Sequence, residues 1–191
     1  MQEINSNHQE ELSPSERIHW KKEDPTKLDL EYHDRIGFIQ KGVLYGAGAT
    51  IGLAVIVMIV QLNAGNGDLA LFQLIPSLLL GYLGIRGGVG IEKRKPNAIF
   101  LCKVYAWLCT GWNFIDIVAS FATGAVPGLL VIALFIYGIC ILYAIYSSKD
   151  IKLVFPKEYR RITTSDFILA LVCVGIDVVL LSLIILGLFM R

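Results

Sequence analysis

The pattern of polar and apolar positions divides this chain at Lys41. Polar and charged residues dominate before it. After it, apolar runs occupy Val43–Leu62, Leu69–Ile85, Ala98–Ala122, Val126–Tyr146 and Phe167–Met190. An α-helix rises about 1.5 Å per residue, so a hydrocarbon core of roughly 30 Å takes about 20 apolar residues. Four of the runs meet that length. The second meets it if Arg86 snorkels to the interface and the helix continues through Gly90. A helix on the surface of a soluble domain carries a polar stripe with a period of 3.6. Leu53–Val60 and Val178–Leu186 carry none. A chain of 191 residues is too short to bury five such helices beneath a polar shell. The expectation is an all-α, polytopic membrane helical bundle with five transmembrane helices.

Charge orients the bundle. Of the 17 Lys and Arg residues, only Arg191 falls on the far side of the pattern. The arm carries Arg17, Lys21, Lys22, Lys27, Arg35 and Lys41. The second connector region carries Arg86, Lys93, Arg94, Lys95 and Lys103; the fourth carries Lys149, Lys152, Lys157, Arg160 and Arg161. The first and third connectors carry none. Positive residues in short connectors resist translocation. The alternation therefore places the N-terminus inside and the C-terminus outside, and losing any one span would scatter the positive connectors over both faces. The leading 40 residues hold no apolar signal-peptide core, so the first span is expected to serve as a retained signal and anchor. Localisation is expected to be the bacterial cytoplasmic membrane, crossed several times.

Residues 1–41 form an N-terminal arm, and residues 42–191 the membrane domain. Residues 1–12 are rich in Gln, Glu and Asn and are expected to be disordered. Ser13-Pro14-Ser15-Glu16 has the form of a capping box. Between about 26 and 41, Leu28, Tyr32, Ile36 and Ile39 recur at helical spacing and lead into Val43. This stripe predicts an amphipathic helix. It lies either on the inner leaflet or as an extension of the first span packed on its neighbours. In the fourth connector, Ile151, Val154 and Phe155 among basic residues suggest a segment resting at the headgroups.

Candidate chemistry is sparse. Asp177 and Asp116 are ionisable residues inside spans, which are costly there and nominate function by default. Asp177 is ten residues past Phe167, about 15 Å deep and near the midplane. Asp116 is eighteen past Ala98, about 27 Å along and near the outer face. That mismatch argues against a shared-proton aspartate dyad. Asp177 is expected to be protonated or to hydrogen-bond to a polar residue on another helix, with Thr110, Asn113 and Tyr137 as candidates. The Lys and Arg residues of the second and fourth connectors form a candidate surface for anionic lipid or an acidic partner. Gly42/Gly46, Gly48/Gly52, Gly84/Gly88 and Gly124/Gly128 have the spacing that lets membrane helices approach closely. Pro76 and Gly87–Gly90 are expected to kink and loosen the second span.

Cys102, Cys109, Cys140 and Cys173 lie within spans, where they read as small hydrophobes rather than a disulfide framework. All three His residues fall in the arm. No metal site, cofactor or nucleotide fingerprint is expected. A net charge of +1, with cations hugging the membrane, argues against nucleic acid. Expected partners are membrane lipids of the anionic inner leaflet, with a membrane-protein partner or a second copy of the chain.

The stretch Tyr143-Ala144-Ile145-Tyr146-Ser147-Ser148-Lys149-Asp150-Ile151-Lys152-Leu153-Val154-Phe155-Pro156 resembles a bacterial four-span membrane domain of unknown function. There the last helix closes on an aromatic, Ser-Lys/Arg, a β-branched residue, Lys, and Phe. The resemblance extends in outline over Val43–Pro156 and implies a helical bundle in a bacterial cytoplasmic membrane. The fifth span and the charged arm depart from it. The leading expectation is a non-enzymatic accessory or interaction protein. The second is a small transporter or lipid-translocating protein using Asp177 and the Pro76–Gly90 region. An intramembrane hydrolase is a distant third.

Overall fold

A computed structural model describes residues 20–21, 24–30, 33–122, 124, 126–155 and 162–189. Its side chains are described throughout these segments except at 20–21, 24–26, 68–70, 72–73, 177, 180–181 and 183–189. Two short strands, β1 (Trp20–Lys21) and β2 (Asp24–Leu28), pair antiparallel ahead of six helices. The helices are α1 (Asp34–Asn63), α2 (Gly67–Glu92), α3 (Ala98–Ala122), α4 (Leu129–Ser147), α5 (Lys149–Val154) and α6 (Thr164–Phe189). Asp34–Asn63, Leu74–Glu92, Ala98–Ala122 and Leu129–Ser147 are long and apolar enough to cross a membrane. The molecule is a polytopic α-helical bundle with at least those four spans.

The arm departs from expectation. A helix from about residue 26 does not form, because β2 occupies Asp24–Leu28 and α1 opens only at Asp34. Pro25 lacks an N–H and disfavours helical geometry in the residue before it. Leu28 is 1% exposed, so burial against the bundle favours the extended strand. Asp34 in the first turn of α1 suits the helix dipole. From there α1 runs unbroken for 30 residues, about 45 Å. Ile36, Ile39 and Val43 are buried to within 1%. Ile36, Ile39 and Val43 of the apolar stripe thus belong to an extension of the first span packed on its neighbours, while Leu28 belongs to β2 and Tyr32 lies outside the described residues.

α2 also runs without a break through Pro76 and the glycines to Glu92. Gly87, Gly88 and Gly90 face Cys102, Leu44 and Ala98 respectively, so they serve close packing rather than loosening the helix. The remaining difference is in the fourth connector. Ile151 is 3% exposed, and Val154 and Phe155 are fully buried. Ser148 caps α5 by accepting from the Ile151 N–H. The turn it sets drives these three side chains into the bundle instead of leaving them at a headgroup surface. The stretch Tyr143–Phe155 is therefore the end of α4, a Ser cap and an inward-facing turn.

The core gathers at one end of the bundle, here termed the ribbon end. Ile36, Leu83, Ile91, Leu101, Val154 and Phe155 are all buried there. Lys27 of β2 pairs with Glu92 at 3.7 Å, and Arg94 Nε donates to the Val154 carbonyl at 2.9 Å. Toward the other end the helices splay apolar side chains outward: Ile56, Ile59 and Val60 on α1 are 50–60% exposed. Only 17% of the most apolar window of α1, and the same share of α4, is buried. Such surface is stable in a hydrocarbon solvent and untenable in water.

Candidate functional site

The densest buried polar chemistry lies at the ribbon end, where α6 meets α2 and α3. Asp166 sits in the first turn of α6, where a carboxylate complements the helix dipole. It is fully buried. A bare carboxylate there would cost several kcal/mol, so its survival depends on donors. Arg86 Nε lies 2.7 Å from Oδ1. Asn97 Nδ2 and Thr163 Oγ1 both donate to Oδ2. The Asp166 N–H in turn donates to Thr163 Oγ1 at 3.4 Å. Arg86 completes the group by donating from Nη1 to the Tyr82 hydroxyl at 3.2 Å.

Each member is placed by its element. Arg86 projects from α2, one turn beyond Tyr82. Asn97 immediately precedes α3, and Thr163 immediately precedes α6. The carboxylate thus joins the starts of α3 and α6 to the body of α2. Its side chain is 1% exposed against 38% for Arg86, so the anion is buried and the cation bridges it to the surroundings. The Arg86 contact is an ion pair without a hydrogen bond to Oδ1, and the charge-assisted hydrogen bonds come from Asn97 and Thr163 on Oδ2. The arrangement holds helices together; it presents no free nucleophile or base to a cavity.

Other expected site residues scatter. Thr110 Oγ1 donates to the Ala106 carbonyl and Asn113 Nδ2 to the Cys109 carbonyl, each at 2.7 Å and within α3. Asp177 lies on α6, but its side chain falls outside the described residues, as do Lys157, Arg160 and Arg161 altogether. Asp116 is exposed toward the far end of α3. Lys93, Lys95, Lys149 and Lys152 are exposed at the ribbon end, while Arg94 is engaged by Val154. Lys103 Nζ lies 4.6 Å from the centroid of the Tyr146 ring. A cavity of about 70 Å³ between α1, α3 and α4 is lined by Thr50, Tyr105, Cys109, Asn113 and Tyr137 among apolar neighbours. Thr50 and Tyr105 share a hydrogen bond of 3.3 Å at its wall. Among the described residues, no three His, Cys, Asp or Glu side chains come together as a metal site.

Asp166 escaped the sequence reading because it stands one residue before the apolar run that begins at Phe167. There it resembles any flanking acid. Its partner Asn97 is 69 residues away, with no local pattern to link them. The cluster Thr163-Thr164-Ser165-Asp166 was the available signal, since such residues favour helix N-termini. Compared with known proteins, the chain matches no family model, no curated protein and no solved structure.

Proposed function

We propose that this is a non-enzymatic accessory or interaction protein of the bacterial cytoplasmic membrane, acting through helix and lipid contacts. It crosses the membrane five times, with α6 as the fifth span, the ribbon end in the cytoplasm and the C-terminus outside. The observation that carries the reading is the use of Asp166. A fully buried carboxylate serves as a joint between α2, α3 and α6, one oxygen in ion-pair contact with Arg86 and the other hydrogen-bonded by Asn97 and Thr163. Around that joint, Lys93, Lys95, Lys149 and Lys152 remain exposed on one end and suit an acidic partner or anionic lipid.

Transport is the second reading, favoured by the Tyr- and Asn-lined cavity between α1, α3 and α4. Asp177→Asn separates the two, because Asn keeps a hydrogen bond but carries no titratable proton. The expected outcome is full cellular function in that variant, and no proton or cation flux through the wild-type protein in liposomes. A flux abolished by Asp177→Asn would overturn the assembly role in favour of transport.

A further inference from the structure

A groove of about 150 Å³ runs between α3 and α6, walled by Trp107, Gly111, Trp112 and Ile115 on α3 and by Val174 and Val178 on α6. Its lining is almost wholly apolar. It opens on the outward, lipid-facing side of the bundle, where Trp107 and Val178 are more than half exposed. Gly111 forms part of its floor, and a Cβ added there meets nothing within 4 Å.

A cation lies one helical turn from the groove. Lys103 precedes Trp107 by four residues on α3, so the two are neighbours along the helix. Lys103 therefore lies one turn nearer the ribbon end than Trp107. Its ammonium is held over the Tyr146 ring, and Trp107 Nε1 donates to the Tyr146 hydroxyl at 3.3 Å. Among the described residues, no carboxylate lies within ion-pairing distance of Lys103. A cation five residues into a spanning helix, about 7.5 Å along it, is costly unless it reaches the headgroup layer and finds an anion there. A Trp and a Tyr beside it mark that same layer.

The geometry points to a binding site for one anionic phospholipid, its headgroup phosphate on Lys103 and one acyl chain in the α3–α6 groove. A zwitterionic lipid offers the chain but no net charge to match the cation. A soluble phosphate offers the charge but nothing for the groove. The site rests on α3, α4 and α6 lying in a bilayer, as in the topology proposed above, and not on the assembly role.

Trp107 and Trp112 report on the groove directly. In the full-length Trp20→Phe chain, reconstituted in phosphatidylcholine vesicles, they are the only tryptophans. A small fraction of dibrominated phosphatidylglycerol should quench them with about fivefold higher apparent affinity than dibrominated phosphatidylcholine, the ratio given by one cation–headgroup contact of about 1 kcal/mol. Lys103→Gln should bring that ratio to about one, since the chain contact remains and the charge contact is lost. Gly111→Leu should fill the groove and weaken quenching by both lipids while helicity by circular dichroism is kept. Equal quenching of the parent by the two lipids overturns the proposal. So does a preference that survives Lys103→Gln, or quenching unchanged by Gly111→Leu. If Gly111→Leu lowers helicity, Lys103→Gln decides the matter alone.

Discussion

Asp166 and Arg86 are unequal partners, and the inequality has a measurable consequence. The carboxylate is buried and the guanidinium is partly exposed. Removing the cation strands an anion with only Asn97 and Thr163 as donors. Removing the anion frees a cation that can extend toward the headgroups. Arg86→Ala should therefore lower unfolding stability by about 3 kcal/mol, toward the lower end of the cost of orphaning a buried charge. Asp166→Asn should cost about 1–2 kcal/mol, because the amide oxygen still accepts from Asn97 or Thr163. Thermal unfolding of both variants in one detergent gives the order directly. The reverse order would mean that the ion pair contributes little and that Asn97 and Thr163 carry the joint.

At the scale of elements, the four Gly-xxx-Gly pairs divide by what stands opposite. Gly84 on α2 faces α1 and α3: a Cβ there would fall 2.8 Å from the Ala47 Cβ and 2.9 Å from the Tyr105 ring. Gly42, Gly46 and Gly88 are likewise closely faced, whereas Gly48, Gly52, Gly124 and Gly128 meet open space. Gly84→Ala should cost about 1–3 kcal/mol through overpacking. Gly52→Ala should be neutral or slightly stabilising, since Ala is the better helix former. Comparing midpoints of thermal unfolding checks the pair. Spacing alone predicts the same role for all four pairs, but Gly124 and Gly128 lie in the α3–α4 connector, and only helix rotation separates the faced from the open glycines on α1 and α2. The same holds for α5. Ile151, Val154 and Phe155 among basic residues read equally well as a headgroup-facing segment, but the Ser148 cap turns them inward.

For the whole molecule, the proposed orientation follows from charge. Among the described residues, Lys27, Lys93, Arg94, Lys95, Lys149 and Lys152 lie at one end. The ion pair of Lys27 with Glu92 and the bond of Arg94 to Val154 show their segments in mutual contact there. Reporter fusions after Asn66 and after Arg191 should both give an extracytoplasmic signal. A cytoplasmic signal after Arg191 would remove the fifth span, and one after Asn66 would invert the map.

The membrane class, the helical architecture and the approximate span limits were legible from residue order. The first helix shows how far that reading reaches. Its apolar run was plain from Val43 to Leu62, yet its true start at Asp34 depended on the strand that Leu28 joins. Residue order by itself determined that long apolar segments must leave water and that the cations gather between particular segments. Transfer free energy is a property of a segment's own side chains and needs no knowledge of neighbours. Tertiary structure alone decided which polar groups meet. Asp166 finds Arg86 and Asn97, Lys103 settles over Tyr146, and Trp107 faces Val174 across a groove. Those encounters depend on the rotation and axial offset of helices distant in the chain, and no local run of residues encodes either.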